Sequence, residues 1–273
     1  MIKNILVHAN DNPRCAVRFA VAIALAERHD ARLTALFADH SPPLPGYVRA
    51  QLDDRTLSQM QDNAEARAAA VREAFETASA RNGIEGEWRR EDGEMSMLLA
   101  LHVRYADIAV VSQPDYEAEI ASEAANLPAE LVLHGGRPVL IIPYAGRFET
   151  VGDTVLVAWN GSREASRALH DAIPILLAAK SVLVHVINPT DQRHLPGADI
   201  GAHLAHHGVE VEVAYSVAPD IDVSDEILNV ASDSSADLVV MGAYGHSRLR
   251  ETVLGGPTHD LLRHMTTPVL MSH

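Results

Sequence analysis

The sequence predicts an α/β protein made of two tandem domains, each a doubly wound parallel sheet with helices on both faces. Three observations carry that expectation. Short apolar, β-branched runs alternate with Ala-rich helical segments, as strands covered on both sides should. The same order of segments occurs twice. A glycine-rich loop joins a strand to a helix near the end of the chain.

The first strand of each half ends in Asn: Ile5-Leu-Val-His-Ala-Asn10 and Val155-Leu-Val-Ala-Trp-Asn160. Each leads into an Ala-rich helical segment, residues 14–28 and 163–179. The second strands are Leu33-Thr-Ala-Leu-Phe37 and Leu183-Val-His-Val-Ile187. Next come Ala106-Asp-Ile-Ala-Val-Val-Ser112 and Ala236-Asp-Leu-Val-Val-Met-Gly242, then Arg137-Pro-Val-Leu-Ile-Ile142 and Thr267-Pro-Val-Leu-Met-Ser272. The offset is 150 for the first two pairs and 130 for the last two, so half one carries 20 extra residues between its second strand and its Ala-Asp strand. Repeated order at a fixed offset marks a duplicated unit. The boundaries read as 1–143 and 153–273, with residues 144–152 as linker. The insertion includes Ser41-Pro-Pro-Leu-Pro-Gly46 and part of a long segment, residues 53–82. Leu57, Met60, Ala64, Val71 and Phe75 recur there mostly at intervals of three, four or seven, which predicts an amphipathic helix with one sheet-packing face.

Composition narrows the function. The chain has 273 residues, 47% hydrophobic content and a formal net charge of −15, which disfavours nucleic acid and anionic lipid as partners. The first strand begins at the amino end, so no signal peptide is expected, and no apolar run reaches the roughly 18 residues of a membrane span. Cys15 is the only cysteine, which fits a reducing, cytoplasmic setting, and it reads as a small buried residue.

The strongest functional signal is Gly242-Ala-Tyr-Gly245-His246-Ser247-Arg248, followed by Leu254-Gly255-Gly256-Pro257-Thr258. It follows a strand that ends at Met241 and precedes a short helix, residues 258–264. Glycines admit positive φ and close backbone approach, and a helix start offers unpaired N–H groups to an anion. The spacing G-x2-G-x9-G is neither the Walker nor the dinucleotide pattern. It resembles the loop of the universal stress protein family, and the tandem repeat extends that resemblance over nearly the whole chain.

The resemblance implies a five-stranded, Rossmann-like domain of the adenine nucleotide alpha hydrolase kind. It also implies that the last strands, Val139 to Ile142 and Val269 to Ser272, pair to make the chain a pseudo-dimer. It further implies ATP or another adenine nucleotide in half two, with Mg2+ as companion. Ligands in such sheets sit beyond the carboxyl ends of strands where strand order reverses. There Ala158 and Trp159 would frame the adenine, Asn160 would help bind the base or ribose, and Ile187 would stand at the end of the second strand in the same site. Gly242, Gly245, His246, Gly255, Gly256 and Thr258 would line the ribose and phosphates, with Met241 beside them and Ser247 and Arg248 as further phosphate contacts. The family commonly has Asp at Asn160 and Ser or Thr at Gly256, and Pro257 supplies no N–H.

In half one, the counterparts of positions 242, 245, 255 and 256 are Ser112, Asp115, Ala125 and Asn126, so the motif glycines are gone. Glu117, Glu119 and Glu123 add negative charge. Half one is expected not to bind ATP in the family manner, and the Asn10-Asp11-Asn12 turn reads as a helix cap.

Other chemistry is weaker. No metal site is expected. Of the 15 histidines, His203 and His207 are four apart on a predicted helix, the weak candidates, with His194 and Asp199 nearby. His8 and His185, on strands, read as locally satisfied. Ser162 begins a helix and reads as a cap rather than a nucleophile. Three functional readings stand: a nucleotide-binding regulatory module in stress response, a family member acting by protein contacts alone, and, last, a slow ATPase or metal-dependent enzyme. Partners beyond the nucleotide are unidentified proteins and a second copy of the chain.

Overall fold

The computed structural model describes residues 1–39, 51–114, 126–189, 196–245 and 256–273. Half one runs β1 (Asn4–Ala9), α1 (Cys15–His29), β2 (Arg32–Asp39), α2 (Asp54–Arg81), β3 (Gly86–Asp92), α3 (Met95–Val103), β4 (Ile108–Ser112), α4 (Leu127–His134) and β5 (Val139–Ile142). Half two runs β6 (Thr154–Trp159), α5 (Arg163–Leu176), β7 (Ser181–Ile187), α6 (Ala198–His206), β8 (Glu212–Ser216), α7 (Val223–Asp233), β9 (Leu238–Gly242), α8 (Pro257–His264) and β10 (Val269–Ser272).

These strands form one sheet in the order β3-β2-β1-β4-β5-β10-β9-β6-β7-β8. Within each half every pairing is parallel, as βαβ connections require. The halves meet where β5 and β10 pair antiparallel, and Leu140 lies opposite Leu270, its counterpart in the repeat. A local two-fold axis therefore passes through that pair, and the chain is a pseudo-dimer fused into one sheet.

Alternation along the central strands sends side chains to two cores. Leu140 and Ile142 join Phe19 of α1, Phe75 of α2, Leu169 of α5 and Leu204 of α6 on one face. Val139 and Ile141 join Leu99 of α3, Leu131 of α4, Ile227 of α7 and Leu261 of α8 on the other. Each core crosses the junction between halves. The Ala-Asp repeat has a structural cause: Asp107 accepts from the Lys3 and Asn4 N–H groups at 2.7 and 2.9 Å. Asp237 accepts from those of Gly152, Asp153 and Thr154 at 3.0, 3.2 and 2.9 Å. Each carboxylate thus satisfies the entry of its half's first strand. Gln113 ties the halves together, donating to the Leu262 and Arg263 carbonyls at 2.8 and 3.1 Å and accepting from Tyr144 N–H at 2.7 Å.

The sequence reading missed the edge strands β3 and β8. β3 reads Gly-Glu-Trp-Arg-Arg-Glu-Asp and is mostly exposed, so it lacks the apolar signal of the inner strands. Helix α2 has 28 residues and α6, its positional counterpart, has 9, which accounts for nearly all of the extra length of half one. Only the second part of α2 packs, through Ala68, Val71, Phe75 and Ser79. Met60, expected on the packing face, is exposed. Cys15 is buried at the start of α1. Residues 41–46 lie outside the described residues.

Candidate functional site

In half two, strand order reverses between β6 and β9. Beyond their carboxyl ends lies a cleft of about 600 Å3. It brings together Ala158, Trp159, Asn160, Ile187, Met241, Gly242, Gly245 and Thr258 from four separate elements. Gly256 does not line the cleft; it is the N-cap of α8, with Pro257, which does line it, next to it at the first helical position. His246, Ser247, Arg248 and Gly255 lie outside the described residues.

Local hydrogen bonds define what these residues still offer. Asn160 Oδ1 accepts from Ser162 N–H at 3.0 Å, so its amide NH2 is the end left for a ligand. Ser162 caps α5, its Oγ accepting from Ala165 N–H at 3.1 Å. Thr258 Oγ1 accepts from Tyr244 N–H at 3.2 Å and pins the start of the loop to the start of α8, leaving its O–H to donate.

The motif glycines work differently from the expectation of positive φ. Among the described loop residues, the left-handed conformation falls on Tyr244, φ 58°, not on Gly242 or Gly245. Gly242 is needed for packing: a Cβ there would collide with the backbone of Glu164 and Ala165 at the start of α5. At Gly245 a Cβ would come within 3.1 Å of Glu164 Oε2.

Glu164, which the sequence reading did not single out, is thus a wall of the cleft. It is 7% exposed, and its Oε1 accepts from Arg163 at 3.1 Å. A carboxylate at the second position of a helix reads from sequence as ordinary first-turn charge, and only the approach of β9 reveals it. His185 also lines the cleft. Its Nε2 meets Ser216 Oγ at 3.0 Å, while Nδ1 is buried without a partner, so it is only half satisfied. Burial holds its pKa below the usual value against the opposing pull of Glu226. Asn188 bridges to the segment just after β8, accepting from Ala218 N–H at 2.7 Å and donating to Ala218 O at 3.3 Å.

The corresponding position in half one holds an arginine. Arg18 is 1% exposed and reaches the carboxyl ends of β1 and β4. It donates to His8 O at 2.6 Å, Asn10 Oδ1 at 2.6 Å and Ser112 Oγ at 2.7 Å. His8, buried beside it, is held well below the ordinary histidine pKa, by burial first and then by Arg18. Its Nε2 has no hydrogen-bond partner, so it too is less satisfied than expected. The Asn10–Asn12 turn does not supply a side-chain cap to α1, whose N-cap is Arg14. Instead Asn12 Oδ1 accepts from Arg14 N–H at 2.8 Å. Asp115, Glu117, Glu119, Glu123 and Ala125 lie outside the described residues, and Asn126 is the N-cap of α4.

His203 lies in the last turn of α6, while His207 is the helix's C-cap rather than a helical residue. Their rings are 4.7 Å apart, and His170 of α5 stands 5.1 Å from His203. His203 is held below its ordinary pKa by burial first, then by His207, His170 and His206. His194 lies outside the described residues.

Comparison with known proteins agrees with this architecture. The model of the universal stress protein family matches residues 1–139 and again 152–273. A universal stress protein of Synechocystis sp. is 28% identical over 169 residues, covering 60% of this chain and 57% of the relative. One of Methanocaldococcus jannaschii is 34% identical over 47 residues, covering 17% of this chain and 29% of the relative. The matched region thus spans less than two thirds of either relative's length. Among solved structures, a universal stress protein from Archaeoglobus fulgidus superposes with a TM-score of 0.75 at 16% identity, over 98% of this chain and 95% of its own. A protein of unknown function from Pseudomonas aeruginosa PAO1 gives 0.58 at 16% identity, over 99% and 92%. At such identities the structural likeness is one of fold. Among the described residues no helix is long and apolar enough to cross a membrane. With the family matched twice along the chain and the two copies sharing one sheet, this protein belongs to the universal stress protein family.

Proposed function

We propose that the second half, residues 153–273, binds ATP or another adenine nucleotide, one per chain, and that the first half, residues 1–143, serves as a non-binding copy. The observation that carries this reading is the cleft at the strand reversal of half two, which gathers Trp159, Asn160, Gly245 and Thr258 on one wall system. Trp159 offers an aromatic face to a base and Asn160 an amide to a ribose. The start of α8 offers N–H groups to phosphate, with Pro257 removing one of them. On this reading the chain is a nucleotide-binding regulatory module in stress response.

Glu164 refines the reading. Its carboxylate lines the same cleft beside Gly245, where a bare polyphosphate meets a like charge. Mg2+ is commonly held by one or two carboxylates together with substrate phosphates, so Glu164 suits a nucleotide that arrives with its cation. The same carboxylate favours a second reading, in which the cleft takes no nucleotide and the chain acts through protein contacts.

Thermal unfolding of the nucleotide-stripped chain, with and without MgATP, separates the two. A ligand that binds only the folded state adds about 2.7 kcal/mol at 100 times its Kd. The nucleotide reading predicts a clear upward shift that disappears in Trp159→Ala. No shift at millimolar MgATP, with the fold intact, supports the protein-contact reading.

A further inference from the structure

We propose that His170, His203 and His207 form a binding site for a divalent transition metal of the zinc, nickel or copper kind, clamping α6 to α5. The proposal stands apart from nucleotide binding and does not require it. The three imidazoles come from two elements 33 or more residues apart in sequence, and one ligand nitrogen from each lies within 4.8 Å of the others. Ring centroids are 5.1 Å apart for His170 and His203, 4.7 Å for His203 and His207, and 6.3 Å for His170 and His207.

Two details point to a ligand rather than to chance proximity. His170 Nδ1 lies 2.8 Å from the Ser166 carbonyl. A carbonyl only accepts, so Nδ1 carries the proton and Nε2 keeps a lone pair. A hydrogen bond from the second ring nitrogen to a backbone carbonyl is how metal-ligating histidines are usually oriented. His203 Nε2, in turn, is buried and has no hydrogen-bond partner. A buried polar nitrogen left unpaired is unfavourable, and a metal bond would satisfy it.

The donor set selects the metal. Imidazole nitrogens suit zinc, copper and nickel, whereas magnesium and calcium take oxygen. Asp199 lines the adjoining cleft of about 460 Å3, one helical turn before His203, and offers a fourth ligand alongside water. The nitrogens must close in, because ligands at about 2.1 Å from a tetrahedral metal sit roughly 3.4 Å from one another. His170 and His207 are exposed, so side-chain rotation of about 1 Å suffices. The site is more than a helix-surface pair: the third ligand ties α6 to its neighbour, so metal favours the folded state. Trp159 and Gly197 line both this cleft and the candidate nucleotide cleft, so occupancy is reported at Trp159.

Isothermal titration of Zn2+ into the metal-stripped full chain tests the site, read together with thermal unfolding and tryptophan fluorescence. The expected result is one zinc per chain with a dissociation constant in the micromolar range or tighter, a raised Tm and a fluorescence change. His170→Ala and His207→Ala each weaken binding by about 100-fold and remove the Tm rise. Both residues are exposed, so the metal-free Tm of these variants should match the parent. His264→Ala, on α8, leaves binding unchanged. Equal zinc affinity and equal Tm rise in His170→Ala and His207→Ala would overturn the proposal. So would weak binding to many sites in the parent chain.

Discussion

Half two opens a cleft beyond its strand ends, and half one places the buried side chain of Arg18 at the matching strand ends. The difference traces to a few paired positions. Ala168, completely buried in α5, is the counterpart of Arg18 in α1. Gly242 is the counterpart of Ser112. In half two the glycine lets the first turn of α5 come against β9, and Ala168 has no side chain long enough to reach the strand ends as Arg18 does. In half one the serine stays, and its Oγ accepts from Arg18. Even the shared Asn is used differently: Asn160 closes only its own turn, while Asn10 also accepts from Arg18. What both halves keep is what the sheet needs, the Asp107 and Asp237 clamps and the β5–β10 seam. The fold constrains one end of the strands and leaves the other free to diverge.

Substitutions that exchange the features of the two halves should separate them further. The largest effect is expected from Gly242→Val, because its side chain meets backbone at the start of α5. Chemical denaturation should show a loss of about 4 kcal/mol. Ser112→Ala, at the matching position, loses one hydrogen bond and about 1 kcal/mol.

Arg18→Ala comes next. It strips His8 O, Asn10 Oδ1 and Ser112 Oγ of a donor and leaves a void, at about 3 kcal/mol in the same experiment. Near-parental stability of this variant would mean that the arginine is not what fills half one.

The pH dependence is a smaller effect with a definite sign. The folded-state pKa of His8 lies well below 6.5. Below that ordinary value the unfolded chain takes up a proton that the folded chain refuses, so stability falls as pH drops from about 6.5 toward the depressed pKa. The slope contributed is at most about 1.4 kcal/mol per pH unit. His8→Ala, which installs the Ala of position 158, should flatten the stability–pH curve by about one proton.

The smallest effect concerns Glu164. Without Mg2+, Glu164→Gln should bind ATP up to about tenfold more tightly than the parent, a gain of about 1.4 kcal/mol from removing a like charge. With Mg2+ the advantage should vanish or reverse. Equal affinities under both conditions would place the phosphates away from this carboxylate.

The sequence made the inner architecture legible because buried parallel strands are apolar throughout and because duplication prints each signal twice. β5 and β10 begin and end where the repeat placed them. The edge strands β3 and β8 escaped notice since one or both faces meet water, and their charged residues carry no strand signature. Of the residues lining the cleft, those at strand ends and Gly242, Gly245 and Thr258 were legible. Glu164, Arg18 and His170 were not, because each acts through a neighbour far along the chain. Arg18 had a readable clue, since the offset of 150 sets it against an alanine in the middle of an otherwise matching helix.

The central claim is an asymmetry, and the stoichiometry of MgATP binding tests it most directly. Isothermal titration of the nucleotide-stripped chain should give one site, lost in Gly245→Val, whose side chain crowds Glu164, and retained in Ser112→Ala. Two sites per chain, or one site that survives Gly245→Val and disappears in Ser112→Ala, would contradict the account.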